Sequence, residues 1–409
     1  MAFDVAAVRA EFPALHVTDN GVPRIYFDAP GGTQACRRAI EAMAAHLSTG
    51  TANSGGAFVT ARATDAMSEA AHEAMADLLG GDAAEIAFGQ NMTSLTFALS
   101  RALGRRFAAQ GEGEIVVTRL DHDANVSPWL LLARDLGLAV KWLDFDPESG
   151  ALRLDQLPGL LGPRTRLVAL GGASNALGTL NPVAEAVAIV RAHSDALVFV
   201  DAVQSVPHVP TDVAALGCDF LACSPYKFFG PHQGALWGRR AVMEELEAYK
   251  VRPASSDPAA IRFETGTPSY EGQAGTIGAV EHIASLGGAE GGRRQRILAA
   301  MGAIVDHERA LGERFLDGLR RLPRLRLYGP PTMEGRVPTF SVTIEGLTAR
   351  QAAEALAQRN IFAWSGNFYA QEAIERLGLA ASGGLLRIGF CHYSTAAEVD
   401  TLLEALAAL

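Results

Sequence analysis

Between residues 85 and 240, short apolar runs alternate with longer stretches of helical period. The runs are Glu85–Phe88, Glu114–Thr118, Ala139–Leu143, Leu167–Gly171, Ala196–Asp201, Phe220–Ser224 and Gly234–Gly238. Runs this short, with helical segments between most of them, predict the strands of a mostly parallel, doubly wound α/β sheet of seven strands. Upstream, the pattern predicts a short amphipathic helix over 4–11, a turn at Asp19-Asn20-Gly21 and a strand over 24–28. Helices are predicted over 34–46 and 61–80, with the Gly/Ser-rich stretch 50–56 as a loop between them. The pattern changes near residue 288. A glycine-rich stretch there is followed by a long charged amphipathic helix to about 320. Strands at Leu325–Tyr328, Thr339–Ile344 and Leu385–Phe390 then alternate with helices over 348–358 and 395–408. This divides the chain into a large domain, 26–288, and a small α+β domain built from 1–25 and 289–409.

A doubly wound sheet binds ligands at the carboxyl ends of its strands. His122, Asn175 and Asp201 all fall just after predicted strand ends. The strand ending at Asp201 is followed by Gln204. Twenty-six residues beyond Asp201 lies Lys227, between an apolar run and Phe228-Phe229-Gly230-Pro231. A lysine in such surroundings is expected inside the protein, where lysines are rare unless they work. A buried amine with an acid on a nearby strand end suits pyridoxal 5′-phosphate. The amine forms a Schiff base, and the carboxylate keeps the pyridine nitrogen protonated. Taken alone, Lys227 also reads as a solvated loop lysine; Asp201 and Gln204 argue for the site.

Composition narrows the partners. The chain has 409 residues, 49% hydrophobic and 20% charged, with net charge −10. No Lys/Arg-rich run appears, so neither nucleic acid nor an anionic membrane is an expected partner. No apolar stretch reaches spanning length. The N-terminus does not read as a signal peptide. The four cysteines, Cys36, Cys218, Cys223 and Cys391, have no CxxC spacing, which argues against a disulfide framework or structural zinc. These features fit a cytoplasmic enzyme. Asp121-His122-Asp123 raises a metal site, but adjacent residues rarely converge on one ion, and none is expected.

Further segments carry chemistry. Asn91-Met92-Thr93-Ser94 follows a strand and opens a helix, a ready anion site, or else a simple N-cap. Ala173-Ser174-Asn175 forms a turn before Gly178. Arg387 lies inside an apolar strand, where its planar fork needs an anionic partner. That partner is a carboxylate ligand or a structural acid.

In this order the segments resemble the class V aminotransferase branch of fold-type I pyridoxal phosphate enzymes, specifically its cysteine desulfurase-like group. The likeness runs from about Tyr26 to the C-terminus. It implies that Met92, through its backbone, Thr93, Ser224 and Tyr226 hold the cofactor phosphate. His122 stacks on the pyridine ring and passes protons. Asn175 and Gln204 approach the phenolic oxygen, and Asp201 pairs with the ring nitrogen. Thr267, in Arg262-Phe263-Glu264-Thr265-Gly266-Thr267, reaches the phosphate of a neighbouring subunit, which implies a homodimer with shared sites. Arg387 and Asn175 bind the substrate carboxylate.

The sequence also departs from the group. Tyr226 replaces the histidine before the lysine, and its hydroxyl still donates to phosphate. The Arg-Thr-Gly-His-His-Cys loop of the resembled subgroup becomes Trp364-Ser365-Gly366-Asn367-Phe368-Tyr369. Tyr369 stands at the cysteine position, and a phenol does not accept sulfane sulfur as a thiolate does. Cys36 is the least improbable substitute thiol, and Cys391 sits on a rigid strand. A β-eliminating C–S lyase acting on an α-amino acid needs only Lys227, Asp201, His122 and Arg387. Transamination, desulfuration through another thiol, and a non-catalytic scaffold stand as alternatives. The aromatic Trp364, Phe368 and Tyr369 suggest a larger or more apolar substrate lined by Tyr369.

Overall fold

A computed structural model describes residues 3–409. Its centre is a seven-stranded sheet in the spatial order 86–89, 234–238, 220–223, 197–201, 165–171, 114–118, 139–143. Only Gly234–Gly238 runs antiparallel to its neighbours. The fold is therefore the expected mostly parallel α/β sheet, and the observed strands keep within two residues of the predicted bounds.

The inner strands are buried on both faces, which explains their largely apolar character; the edge strand Ala139–Leu143 is half-buried and carries Lys141. In Leu197–Asp201, Val198 and Val200 join one core, with Phe12, Phe228 and Phe229. Leu197 and Phe199 join the other, with Trp129 and Phe220. The side-chain alternation of an extended chain assigns them to opposite layers. The long helix Arg293–Leu319 ties this body to a second sheet. Its first half places Ile297 and Met301 against the large core, while Phe315 and Leu319 enter the core of the smaller sheet.

That smaller sheet has four antiparallel strands, in the order 325–328, 339–344, 385–389, 364–366. The last is Trp364–Gly366, a three-residue strand that the sequence pattern did not reveal. The strand expected over 24–28 shrinks to Ile25–Tyr26, paired in parallel with Ile361–Phe362. A helix also escaped the periodicity. Tyr270–Ser285 is buried on most of its surface, so it presents no polar face to alternate with an apolar one. It crosses the helix Arg37–Ser48 at Gly278, where a Cβ would lie 2.5 Å from the Arg38 carbonyl oxygen. Among the described residues no helix is long and apolar enough to cross a membrane.

Candidate active site

The carboxyl ends of the parallel strands converge on one cavity. Its wall includes Met92, Thr93, His122 and Asn175 from the turns after strands 86–89, 114–118 and 165–171. Asp201, Gln204, Ser224, Tyr226 and Lys227 complete it. These nine residues lie up to 135 positions apart in the chain (Met92 to Lys227). Thr267 is not among them; it lines two separate surface cavities that open beside Glu264 and Pro268.

Lys227 reaches the cavity because the strand Phe220–Cys223 ends in a single 3-10 turn, Pro225–Lys227. Proline suits the first turn of such a helix, since its missing N–H is not needed there. The two phenylalanines that follow are fully buried and anchor the turn. Lys227 is only 8% exposed, and its Nζ donates to the Pro30 carbonyl. Burial pushes its pKa down to about 7, helped by the nearby Arg387 charge; Asp201 and Asp28 pull the other way. The amine is thus substantially neutral near pH 7, the state a nucleophile or base needs.

Asp201 accepts from the Val203 N–H at 3.0 Å. Burial raises its pKa to about 6, against the pull of Lys227. Asp121, one residue before His122, is a site residue the sequence reading passed over. It accepts from Gly171 N–H at 3.0 Å and from Asn125 Nδ2 at 2.8 Å, and burial pushes it up to about 7. His122 Nδ1 accepts from the Ala124 N–H at 3.0 Å, which puts the ring proton on Nε2. Burial, then the charges of Lys227 and Arg387, lower its pKa to about 4, so it is neutral at physiological pH.

The anion end is built by the helix Met92–Ala109. Asn91 caps it, accepting from Ser94 N–H at 2.8 Å. The antiparallel strand presses on this turn at Gly234, where a Cβ would lie 2.3 Å from the Asn91 carbonyl carbon. Only glycine permits that approach, so the strand fixes where the helix begins. Tyr226 stacks on His232, ring centroids 4.9 Å apart.

Opposite, the small sheet contributes Arg387 from the buried strand Leu385–Gly389. Nη1 donates to the Asn175 carbonyl at 2.9 Å, and the Phe368 ring lies over the guanidinium, 4.2 Å from centroid to Cζ. Burial lowers the Arg387 pKa to about 9, opposed by Asp28, so it stays charged near pH 7. Asp28 is a second residue the sequence reading missed. It is half-buried, with Oδ1 buried and unpaired among the described residues, and desolvation pushes it up to about 6. The Asn175 side chain is also engaged within the chain: its Nδ2 donates to the Phe368 carbonyl at 2.8 Å. Gln204 Nε2 likewise donates to Thr339 Oγ1, at 3.2 Å, across the two sheets. No local signal announces these pairings, since the partners are 193 and 135 residues apart.

Tyr369 is 73% exposed and stacks on His122, ring centroids 5.5 Å apart. Its carbonyl accepts from Asp123 N–H at 2.6 Å. Trp364, also exposed, rests on Gly31. All four cysteines are buried. Burial pushes the thiol of Cys36 up to about 11 and that of Cys218 up to about 12, and it raises Cys223 and Cys391 as well.

The cavity suits pyridoxal phosphate by its own chemistry. It offers a depressed-pKa amine, a buried carboxyl, a helix N-terminus and the hydroxyls of Thr93, Ser224 and Tyr226. Asn175 Oδ1, Gln204 Oε1 and Arg387 Nε are buried without partners. Such orphans are rare in native proteins and mark a polar ligand's place.

A sequence model of the family described as Aminotransferase class-V matches residues 25–402. A probable cysteine desulfurase of Mycolicibacterium paratuberculosis is 34% identical over 99% of this chain, which spans 58% of that relative's length. A cysteine desulfurase of Klebsiella pneumoniae is 31% identical, with 99% of this chain and 98% of the relative covered. Among solved structures, the apo cysteine desulfurase from Thermococcus onnurineus NA1 superposes with a TM-score of 0.87 at 27% identity, covering 100% of this chain and 98% of that one.

Proposed function

The chain belongs to the class V aminotransferase family, in its cysteine desulfurase-like branch, and on that footing we propose that it cleaves the C–S bond of a cysteine derivative by β-elimination. Family membership makes it a pyridoxal phosphate-dependent enzyme. When bound, the cofactor supplies an electron sink for the pair left at Cα.

In this reading the chain's residues divide the work. Lys227 provides the covalent attachment and then, as a free amine, takes the Cα proton. Asp201 would pair with the cofactor's ring nitrogen and His122 would stack on its ring. Backbone N–H groups at Met92 and Thr93, with the hydroxyls of Thr93, Ser224 and Tyr226, hold the phosphate. Arg387 anchors the substrate carboxylate, with Asn175 beside it. Thr267 serves a second subunit's phosphate, so the working form is a homodimer. Its place in a cavity apart from Lys227 supports that assignment.

One observation carries the choice of elimination. No thiol is available to receive sulfur, because Tyr369 occupies the position of the branch's cysteine and all four cysteines are buried. Sulfur must then leave on its own substituent. The balance is S-substituted L-cysteine plus water giving pyruvate, ammonia and a thiol. The proton taken from Cα returns to solvent, and the thiol leaves with one of its own.

The test is product analysis of the cofactor-loaded protein with S-methyl-L-cysteine and, separately, with L-cysteine and a reductant. Equal amounts of pyruvate, ammonia and methanethiol are expected from the first. Alanine and sulfide from the second would sink the proposal and establish desulfuration.

A further inference from the structure

We infer that Phe368 is a positioning residue for the substrate carboxylate: its ring covers one face of the Arg387 guanidinium and leaves the Nε edge for the incoming anion. The inference rests on the reading of Arg387 as the carboxylate anchor. It goes beyond that reading by assigning work to the loop that carries no cysteine.

The guanidinium is planar, with hydrogen-bond donors around its edge and a π face above and below. Three observations describe how this one is dressed. Nη1 is used by the Asn175 carbonyl. One face is covered by Phe368 at 4.2 Å. Nε is buried and has no partner among the described residues. A carboxylate that enters on the Nε side of the guanidinium plane would supply the partner this buried donor lacks, while the ring covers the face. A cation under an aromatic ring in a desolvated pocket is held firmly. It is also a stronger anion partner than a hydrated one.

The loop is fixed accordingly. Phe368 and Tyr369 both have a left-handed backbone, φ 57° each, a conformation that side chains other than glycine, asparagine and aspartate seldom adopt. Hydrogen bonds over-determine it. The Phe368 carbonyl accepts from Asn175 Nδ2, and the Tyr369 carbonyl accepts from Asp123 N–H. Tyr369 N–H donates to Asn367 Oδ1 at 3.1 Å. The turn is thus pinned to two strand-end segments of the large sheet. Its ring meets an arginine from the small sheet.

The test titrates the cofactor-loaded protein with 2-methylalanine and reads the visible absorbance of the bound cofactor. This amino acid has no Cα hydrogen, so binding is measured apart from elimination. Isopropylamine, the same skeleton without a carboxylate, is the control. Phe368→Ala is expected to weaken 2-methylalanine about tenfold, from the usual strength of a desolvated cation–π contact. It should leave isopropylamine within about twofold. Phe368→Tyr keeps the ring and is expected to restore native binding. With a turned-over substrate, Phe368→Ala should raise KM and spare kcat, and unchanged visible absorbance before titration shows the variant folded. Equal weakening of both ligands would overturn the inference, as would a Phe368→Ala protein that binds 2-methylalanine as the native one does. If the native protein binds the two ligands alike, the carboxylate role of Arg387 fails along with it.

Discussion

The two ends of one strand pair treat a buried aspartate in opposite ways. Asp219 precedes the strand Phe220–Cys223, and Asp201 ends the neighbouring strand Leu197–Asp201. Asp219 is fully buried and fully served. It accepts from Val198 N–H at 2.7 Å, Arg191 Nη2 at 2.8 Å, and Arg239 Nε and Nη2 at 2.9 and 2.6 Å. Asp201 has one backbone N–H, and its pKa is pushed up to about 6. Lys227, its nearest cation in effect, is pushed down to about 7. One end spends its charges on each other; the other leaves them unspent beside orphaned donors and acceptors. Buried groups left unpaired destabilise a fold. In this strand pair the poorly served carboxylate lies at the carboxyl end and the fully served one at the amino end, which separates the part of the pair that works from the part that holds.

The sharpest way to break this contrast is to remove Lys227. Lys227→Met should lower turnover by at least about 10⁴-fold, since nucleophile and base are lost together. The same change should raise the melting temperature of the cofactor-free protein, because it removes a disfavoured buried amine. A stabilised but inactive variant confirms that the site is strained for function. A variant that melts lower would show that Lys227 is a structural residue.

The aspartates come next. Asp219→Ala strands two arginines and a buried N–H, and should cost about 3–5 kcal/mol in urea unfolding. Asp201→Asn should leave the cofactor-free fold within about 1 kcal/mol and yet lower kcat about 10²–10³-fold. If both substitutions damage stability equally, the two ends are not different in kind.

The pH dependence of the cofactor-free protein sharpens the same point. Lys227 has a folded pKa of about 7, below its ordinary 10.5. Between those values the unfolded chain binds more protons, so this group's contribution to stability rises with pH across the window. Asp201 runs the other way. Its folded pKa of about 6 lies above the ordinary 3.8, so its contribution is complete below 3.8 and is lost as pH rises through 6. Cofactor uptake needs the neutral amine, so its rate should climb about tenfold per pH unit up to about 7 and then flatten. Stopped-flow absorbance measures this directly. A rate that keeps climbing to pH 10 would mean that Lys227 has an ordinary solvated amine.

How much of this was legible in the sequence follows from the range of the interactions. The inner strands were legible because burial on both faces makes them largely apolar; the edge strand 139–143 is half-buried and was legible only as a short run between helical stretches. Lys227, Asp201, His122 and the Met92–Thr93 turn were legible because each sits at the end of such a run. Asp28 and Asp121 were not, because their burial comes from elements far along the chain. Nor was the Phe368 contact, which unites residues 368, 387 and 175 from three separate segments. The helix Tyr270–Ser285 escaped because complete burial erases the amphipathic period on which such a reading depends.

The smallest expected effect concerns the residue that distinguishes this chain from the desulfurases it resembles. Tyr369 holds the loop through its backbone carbonyl and meets His122 through its ring. Its hydroxyl belongs to a side chain 73% exposed. General acid catalysis needs the proton donor held within hydrogen-bond reach of the leaving atom, and no hydrogen bond or packed contact among the described residues fixes this hydroxyl in place. A thiolate leaving into solvent needs little such help. Tyr369→Phe should therefore keep kcat for S-methyl-L-cysteine within about twofold, since ring and carbonyl remain. A loss of about 10²-fold, with KM unchanged, would instead make the hydroxyl the general acid. It would also move the working chemistry out from the sheet onto the loop, ending the division between a strained cavity and a merely supporting rim.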